Sequence, residues 1–422
     1  MGSIQDSQQT LAIRDASGKF MSALDAYEQV TKKYGGSEEV AHKGEIAVAR
    51  HAMTNDGIKL LQEIRGPIDS VYGFFEMGSQ ASAIRCLIAM GAFDRIPTEG
   101  SITISKLAAE LSADPKLLAR LMRIVSVTGP FQQVQEDEYA HTPFSKAYLI
   151  PEVRGMYTLI FDDMYPPWNK MHEFLASRGW KSDGEERDNA YTYAHQTGGK
   201  SIWEHLKQYP ERVKALNLGM GAQTATTMWS VDIVDFKALL APKNTDKDDV
   251  LVVDIGGGKG HCLKRINNAI PDIDGRLVLQ DRLEVISDTY DLDPTRFEKY
   301  EYNFFDPQPI KGKYISVGSR AHIYYIRRVL HDWPDHLCVG ILKNIANAME
   351  PGKSRLVIAE IVVPPTGGDS ETGWMDLVLM TVTGVERSAK DWEELLNAAG
   401  LKLEKIYTSP GTNHGAVQAV LA

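Results

Sequence analysis

The sequence predicts an α/β protein in which a Rossmann-like parallel sheet, closed by an antiparallel C-terminal strand, follows a mainly helical N-terminal half of winged-helix order. Three observations carry this. Val250–Val253 is an apolar, β-branched run ending at Asp254 and the glycines Gly256, Gly257 and Gly258, as in the first βα turn of an open parallel sheet. Short apolar strands then alternate with helical segments to the C-terminus. Upstream, residues 104–142 read as helix, turn, helix and hairpin.

With 422 residues the chain exceeds one ordinary core. We expect an N-terminal helical extension (1–60), a winged-helix-like region (61–155), a helical bridge lining a pocket (156–245) and a catalytic domain (246–422). Charged (24%) and hydrophobic (43%) fractions are those of a soluble globular protein. A net charge of −10 argues against nucleic acid or an anionic membrane as main partner, since both need a positive field. Cys86, Cys262 and Cys338 are scattered, without the spacing of a disulfide framework or zinc site. The N-terminus lacks the apolar core of a signal peptide, and no run reaches the roughly 18 apolar residues of a membrane span. A cytoplasmic protein is expected.

Helical pieces such as Phe20–Tyr34 precede a break at Gly35-Gly36, and a more apolar region starts at Gly66-Pro67. Ile84, Leu87, Ile88 and Met90 recur at helix spacing, predicting a core helix over 81–93. Helices are expected at 104–111 and 116–127, the second with Asp114 as N-cap and Pro115 as first residue. Phe131–Val134 and Tyr139–Thr142 then form a hairpin around Glu136-Asp137-Glu138. Lys116, Arg120 and Arg123 share one face of the second helix, as a DNA-reading face would, although such cations are more often simply solvated.

Residues 157–180 are aromatic-rich, and 212–229 form an amphipathic stretch. Such stripes are more often core than pocket, but their place between two domains suits an apolar cavity. Ala241–Asp249 is read as a linker. In the second half we expect strands at 276–280, 300–305, 322–330, 355–359, 401–407 and 416–421, the last pair antiparallel. Helices are expected at 262–267, 336–349 (with Asp335 available as a cap), 375–383 and 389–399.

The glycines at 256, 258 and 260 follow G-x-G-x-G, which misses the dinucleotide fingerprint and fits a nucleoside cofactor lacking a pyrophosphate. Asp281, at the tip of the next strand, is placed to bind ribose hydroxyls. His331 and Glu360 follow the fourth and fifth strands at the same sheet edge, and Glu386 follows Val382-Thr383-Gly384. A histidine is suited to accept a proton near neutral pH, and a carboxylate on its other nitrogen fixes the tautomer. Each taken alone has an ordinary reading: His331 as a bonded loop residue, Glu360 as a partner of Arg355. No metal site is expected, because the acids lack local ligand spacing.

Together, Val253–Gly260, Gln280-Asp281, Leu330–Asp335, Ile358–Glu360 and Gly384–Arg387 resemble the caffeic-acid-type (class II) S-adenosylmethionine-dependent O-methyltransferases, in their fungal secondary-metabolism branch, from about Ser70 onward. The resemblance implies S-adenosyl-L-methionine as cofactor, a winged-helix dimerisation domain, a homodimer, and no nucleic-acid or membrane partner. It places the catalytic base on His331 and its flanking acids on Glu360 and Glu386. Cofactor contacts fall on Asp254, Gly256, Gly257, Gly258, Asp281, Arg282, Asn303, Phe304 and Arg327, with Asn303 standing where the family usually has Asp. Acceptor contacts are expected at Met164, Trp168, Met220, Gln223 and Asp332. The implied reaction moves the cofactor's methyl to a phenolic oxygen of a small, polyketide-derived metabolite. A phenol titrates near about 10 and imidazole near about 6.5, so ground-state proton transfer is uphill by roughly 5 kcal/mol. Some similar fungal proteins instead use the bound cofactor for pericyclic or dehydrative steps without methyl transfer. That alternative shares the fold, as does, more remotely, a winged-helix DNA-binding regulator.

Overall fold

The computed structural model describes residues 2–37, 39–182, 184–241, 245, 247–287, 289, 292–310 and 321–422, with side chains described except at 2–7, 40 and 222–230. The linker expected at 241–249 lies partly outside these residues. The chain forms two compact units: Met1–Gln29, Arg50–Ala176 and Ala190–Thr226 make the first, and Val30–Ala49, Ser177–Asn189 and Thr227–Ala422 the second.

The first unit is mainly helical. The long helix Val40–Met90 is two helices joined at Gly66, whose φ of 68° interrupts the spiral before Pro67. That is physically reasonable, since the residue before proline is pushed out of the helical region. The helix expected over 81–93 stops at Met90, because Gly91 turns left-handed (φ 74°). Ile84 and Leu87 are buried with Leu107, Leu118, Met122, Val125 and Phe131 in one core. Helices Ile104–Leu111 and Pro115–Val127 follow, the latter capped by the Asp114 side chain accepting from the Lys116 amide. Strand β1 (Ile102–Thr103), unforeseen, pairs with β3 (Glu138–His141), which pairs with β2 (Phe131–Gln135). Lys116, Arg120 and Arg123 are exposed. Farther on, Pro151–Leu159 passes through a π-helical turn, Ile160–Met164, into Tyr165–Ser177. That turn buries Asp163, which accepts from Tyr191 Oη at 3.0 Å and pairs with Arg212.

The second unit is built on a seven-stranded sheet of order β11-β12-β8-β7-β4-β5-β6. β4 (Val250–Ile255), β5 (Arg276–Asp281), β6 (Phe297–Glu301), β7 (Ala321–Arg327) and β8 (Arg355–Ala359) are parallel. Two-residue strands β9 (Val362–Val363) and β10 (Arg387–Ser388) pair separately, and β11 (Leu401–Thr408) and β12 (Gly415–Leu421) close the sheet antiparallel. All six β4 residues are buried, as a central strand covered on both faces requires.

Several expected boundaries move for local reasons. β6 lies at 297–301 and not 300–305, because the Asn303 side chain accepts from the Phe305 amide and turns the chain. β7 ends at Arg327, before Leu330, because Arg328 adopts φ 50° and leaves the sheet. The helix expected at 375–383 runs Ser370–Met380, started by an Asp369 cap, with Thr383 at φ 75° beyond its end. Asp335 is the first residue of its helix, Asp335–Ala346, and not its cap; its carboxylate pairs with Arg387 at 2.7 Å.

Candidate active site

The strand order reverses between β4, which leads outward to β5 and β6, and β7, which leads to β8. Ligands of open sheets bind at the carboxyl edge of such a switch point. Here the β4 edge carries Asp254 and the glycine bend, the β7 edge carries Arg327 to His331, and the β8 edge carries Glu360.

Backbone geometry explains the glycine spacing. Gly256, Gly258 and Gly260 have φ values of 67°, 58° and 85°, a region side-chain-bearing residues avoid. A β-carbon on Gly257 would come within 2.5 Å of Asp254 Oδ2 and Leu279 Cδ1. The Gly256 and Gly257 amides donate to the Gln280 carbonyl at 2.8 and 3.2 Å, and the Gly258 amide donates to Asp281 Oδ2 at 2.8 Å. The Gln280 amide is itself locked by reciprocal bonds to Gln308.

These residues fit a nucleoside cofactor carrying positive charge. Asp254 is 1% exposed, and its Oδ2 has no hydrogen-bond partner among the described residues. Burial, with Asp281 nearby and Arg327 only partly opposing, pushes its pKa up to about 7. Such a buried acceptor is stabilised by a ligand that brings N–H groups. Asp281 accepts from the Gly258 and Arg282 amides, leaving lone pairs for ribose hydroxyls. Phe304 packs edge-on against Trp333, a half-buried aromatic pair suited to a flat base. The Arg282 side chain is 62% exposed and paired with Glu284 at 2.6 Å, so its tie to this edge is through its backbone.

At the opposite rim, the 3-10 turn Leu330–Asp332 presents His331, 6% exposed. Its Nδ1 donates to Glu386 Oε1 at 3.0 Å, because a carboxylate only accepts, and stands 3.5 Å from Glu360 Oε2. Its Nε2 lies 3.6 Å from Asp332 Oδ1, beyond hydrogen-bond length. Burial alone would lower the imidazole pKa, but Glu360, Asp332 and Glu386 outweigh it and raise the ring to about 9. Glu360 holds its place through Oε1, which accepts from the Val329 and Leu330 amides at 3.0 and 3.1 Å. It does not pair with Arg355, which bonds Glu404. Donor atoms of His331, Glu360 and Glu386 lie within 4.8 Å of one another. Local spacing, the ground for expecting no metal site, does not see a cluster drawn from three elements. Within it, His331 and Glu386 are directly hydrogen-bonded.

Two cations, Arg387 buried and Arg328 half-buried, had no role assigned from sequence. Arg387, 2% exposed, donates to the Leu330 and Trp333 carbonyls and to Asp335, and so ties down the turn that carries His331. Arg328 bonds His414. The Gly384–Arg387 motif ends on Arg387, but two of that residue's partners are backbone carbonyls and another, Asp335, lies 52 residues away.

Met164, buried, Trp168, half-buried, and Met220, 44% exposed, belong to the first unit. The Gln223 side chain lies outside those described.

A glycine bend with two strand-end acids, at the switch point of a mostly parallel sheet, is the kind of edge at which an α/β enzyme binds a nucleoside cofactor. Residues 181–402 match the O-methyltransferase domain and residues 75–151 the O-methyltransferase dimerisation domain, so the chain belongs to the O-methyltransferase family. It is 44% identical to O-methyltransferase kntB of Aspergillus niger, over 88% of each chain. It is 31% identical to demethylsterigmatocystin 6-O-methyltransferase of Aspergillus flavus, over 78% of this chain and 83% of that one. Crystal structures of OxaC, one with S-adenosylhomocysteine and oxaline, are similar at a TM-score of 0.83 and 31% identity, covering 98% of this chain and all of the other. A pericyclic reaction enzyme shares the fold at a TM-score of 0.76 and 24% identity, covering 95% of this chain and all of that one. The protein is therefore a methyltransferase that uses S-adenosyl-L-methionine. The segment carrying Lys116, Arg120 and Arg123 lies within the dimerisation match. No helix among the described residues is long and apolar enough to cross a membrane.

Proposed function

We propose that the protein methylates a phenolic hydroxyl of a small polyketide-derived metabolite, with His331 as general base. The observation that carries this is the division of labour on the imidazole: Nδ1–H is held by Glu386, which leaves Nε2 as the proton acceptor. When bound at the Asp254, Gly256–Gly258 and Asp281 edge, S-adenosylmethionine supplies an electrophilic methyl on a positively charged sulfur. His331 Nε2 takes the acceptor's hydroxyl proton, Glu386 and Glu360 stabilise the imidazolium, and Asp332 sits beside the reacting nitrogen to orient the acceptor. With the ring titrating at about 9, transfer from a phenol near about 10 is uphill by roughly 1–2 kcal/mol, well below the estimate for an ordinary imidazole. The remaining acceleration is alignment of two bound reactants.

Methylation of an oxygen on a small metabolite is supported by the relative named demethylsterigmatocystin 6-O-methyltransferase. The pericyclic alternative fits the fold equally, and the intact His331–Glu386 pair favours methyl transfer. Met164, Trp168, Met220 and Gln223 remain expected acceptor contacts, testable by KM changes on substitution. A homodimer is supported by the dimerisation match and by the exposed Ile68, Val71, Tyr72, Phe74, Phe75 and Met77 at its edge. A reducing cytoplasm suits three free thiols.

The test is transfer of a labelled methyl group to a panel of phenolic polyketides. His331→Ala is expected to lose about 10²–10⁴-fold in turnover while keeping its affinity for S-adenosylhomocysteine. Undiminished turnover rejects His331 as base; tight cofactor binding with no label transferred to any acceptor favours the pericyclic alternative.

A further inference from the structure

Arg328 occupies an unusual position for a long cationic side chain. It is the first residue beyond β7, with φ 50°, while its amide still donates to the Ala359 carbonyl at 3.2 Å. A non-glycine residue in the left-handed region is costly and persists where its surroundings hold it. Those surroundings are polar and partly buried. Nη2 donates to His414 Nδ1 at 3.3 Å, which places the His414 proton on Nε2, and Nε2 donates to Glu371 Oε1 at 3.2 Å. His414 is 6% exposed on the β11–β12 loop, where it bridges Ile361, the residue after Glu360. Glu371 lies in the first turn of Ser370–Met380. Arg328 Nη1 is buried without a hydrogen-bond partner among the described residues.

The charges around this guanidinium are lopsided. Facing it are Glu360 after β8, Glu386 before β10 and Glu371 on the helix, with Arg327 beside it. Asp332 also feels its charge, and Asp369 acts on Glu371. His331 is encircled by Glu360, Glu386 and Asp332. Left uncompensated, that ring of acids would hold the imidazolium so firmly that it would seldom release its proton. A cation near these acids, itself bonded to His414 and not to the imidazole, weakens their hold.

We propose that Arg328, anchored through His414 to Glu371, is a positioning residue that balances the charge of Glu360 and Glu386 and thereby sets how readily His331 gives up and takes a proton. The anchor matters because an arginine free to swing into solvent would be screened. The His414 bond fixes Nη2, and Nη1 is buried. This inference rests on His331 being the base.

The titration needs no acceptor; only the turnover control on His331→Gln does. Protein labelled with ¹⁵N-histidine and saturated with S-adenosylhomocysteine is titrated by long-range proton–nitrogen spectra, with the His331 signals assigned by their loss in His331→Gln. Removing the cation in Arg328→Gln is expected to move the His331 midpoint upward by about one pH unit, and Arg328→Lys to restore at least half of that displacement. If Arg328→Gln does not bind S-adenosylhomocysteine, His414→Asn carries the test, with a smaller displacement in the same direction expected. An unchanged or lowered midpoint in the variant that binds overturns the proposal, even if melting temperature falls, because a purely structural role would destabilise without moving the titration. His331→Gln turnover separates the two readings: if it stays at the wild-type level, the base assignment fails, whereas a fall in that variant beside an unmoved midpoint in Arg328→Gln removes only the role of Arg328.

Discussion

Gly384 lies against the backbone of His331 so closely that a β-carbon there would overlap the His331 carbonyl oxygen and stand 3.2 Å from Asp332 Cα. The next amide, of Val385, donates to that same carbonyl at 2.9 Å, and Glu386 follows with its carboxylate on the ring. One hydrogen-bonded turn thus delivers Glu386 to His331. Gly384→Ala forces the two segments apart and is expected to cost about 1–3 kcal/mol in stability. A misplacement on the order of 1 Å between base and acid should lower turnover by about 10²-fold, with cofactor affinity little changed. Thermal melts beside a methyl-transfer assay check both; wild-type turnover would show that the close approach has no catalytic consequence.

How much of this was visible beforehand depends on the reach of each interaction. The glycine bend was legible because positive φ at 256, 258 and 260 and the acid before it are properties of one short stretch. Asp281 was legible because strand ends recur at the same sheet edge. Glu386 was another matter: its place after Val382-Thr383-Gly384 offered it as a third acid, but with 55 residues separating it from His331, its hydrogen bond to the ring could not be read. Arg387 and Arg328 escaped because their partners are carbonyls and a loop histidine from remote parts of the chain. Asp335 was misjudged as a helix cap since nothing local announces that a buried guanidinium claims it.

The raised His331 pKa has consequences for rate and stability. A base that is free only above about pH 9 should give turnover rising about tenfold per pH unit from 6 to 8 and levelling near 9. Because the folded value lies above the ordinary imidazole value of 6.5, the charged ring stabilises the fold fully below about 6.5, and that contribution is lost as pH rises through about 9. Melting temperature should therefore fall between pH 7 and 10, and by less in His331→Gln. A rate profile already flat at pH 6.5 would contradict this.

Glu360 and Glu386 should fail differently when altered. Glu360 accepts two buried amides, so Glu360→Ala leaves the Val329 and Leu330 N–H groups unpaired, at about 1–3 kcal/mol. Glu386→Gln keeps an oxygen for Nδ1–H but removes a charge, so the His331 titration should move downward while stability changes little. Denaturant unfolding and rate–pH profiles together distinguish the two. Equal effects of both substitutions on both measurements would undo the separate roles.

Asp254 provides a test of the cofactor edge that needs no turnover. Its carboxyl is raised to about 7 by burial, against an ordinary value of 3.8. An acid raised in this way weakens the fold: the cost is absent below about pH 4, grows between 4 and 7, and is complete above. Asp254→Asn should therefore melt higher than wild type at pH 8 without ligand, with little difference at pH 4. In the presence of S-adenosylhomocysteine the order should reverse, since the amide cannot pair with a cationic ligand group, and affinity should fall about tenfold or more by calorimetry. A variant that gains stability and binds the ligand as tightly as wild type would mean that the orphaned oxygen serves some purpose other than holding the cofactor.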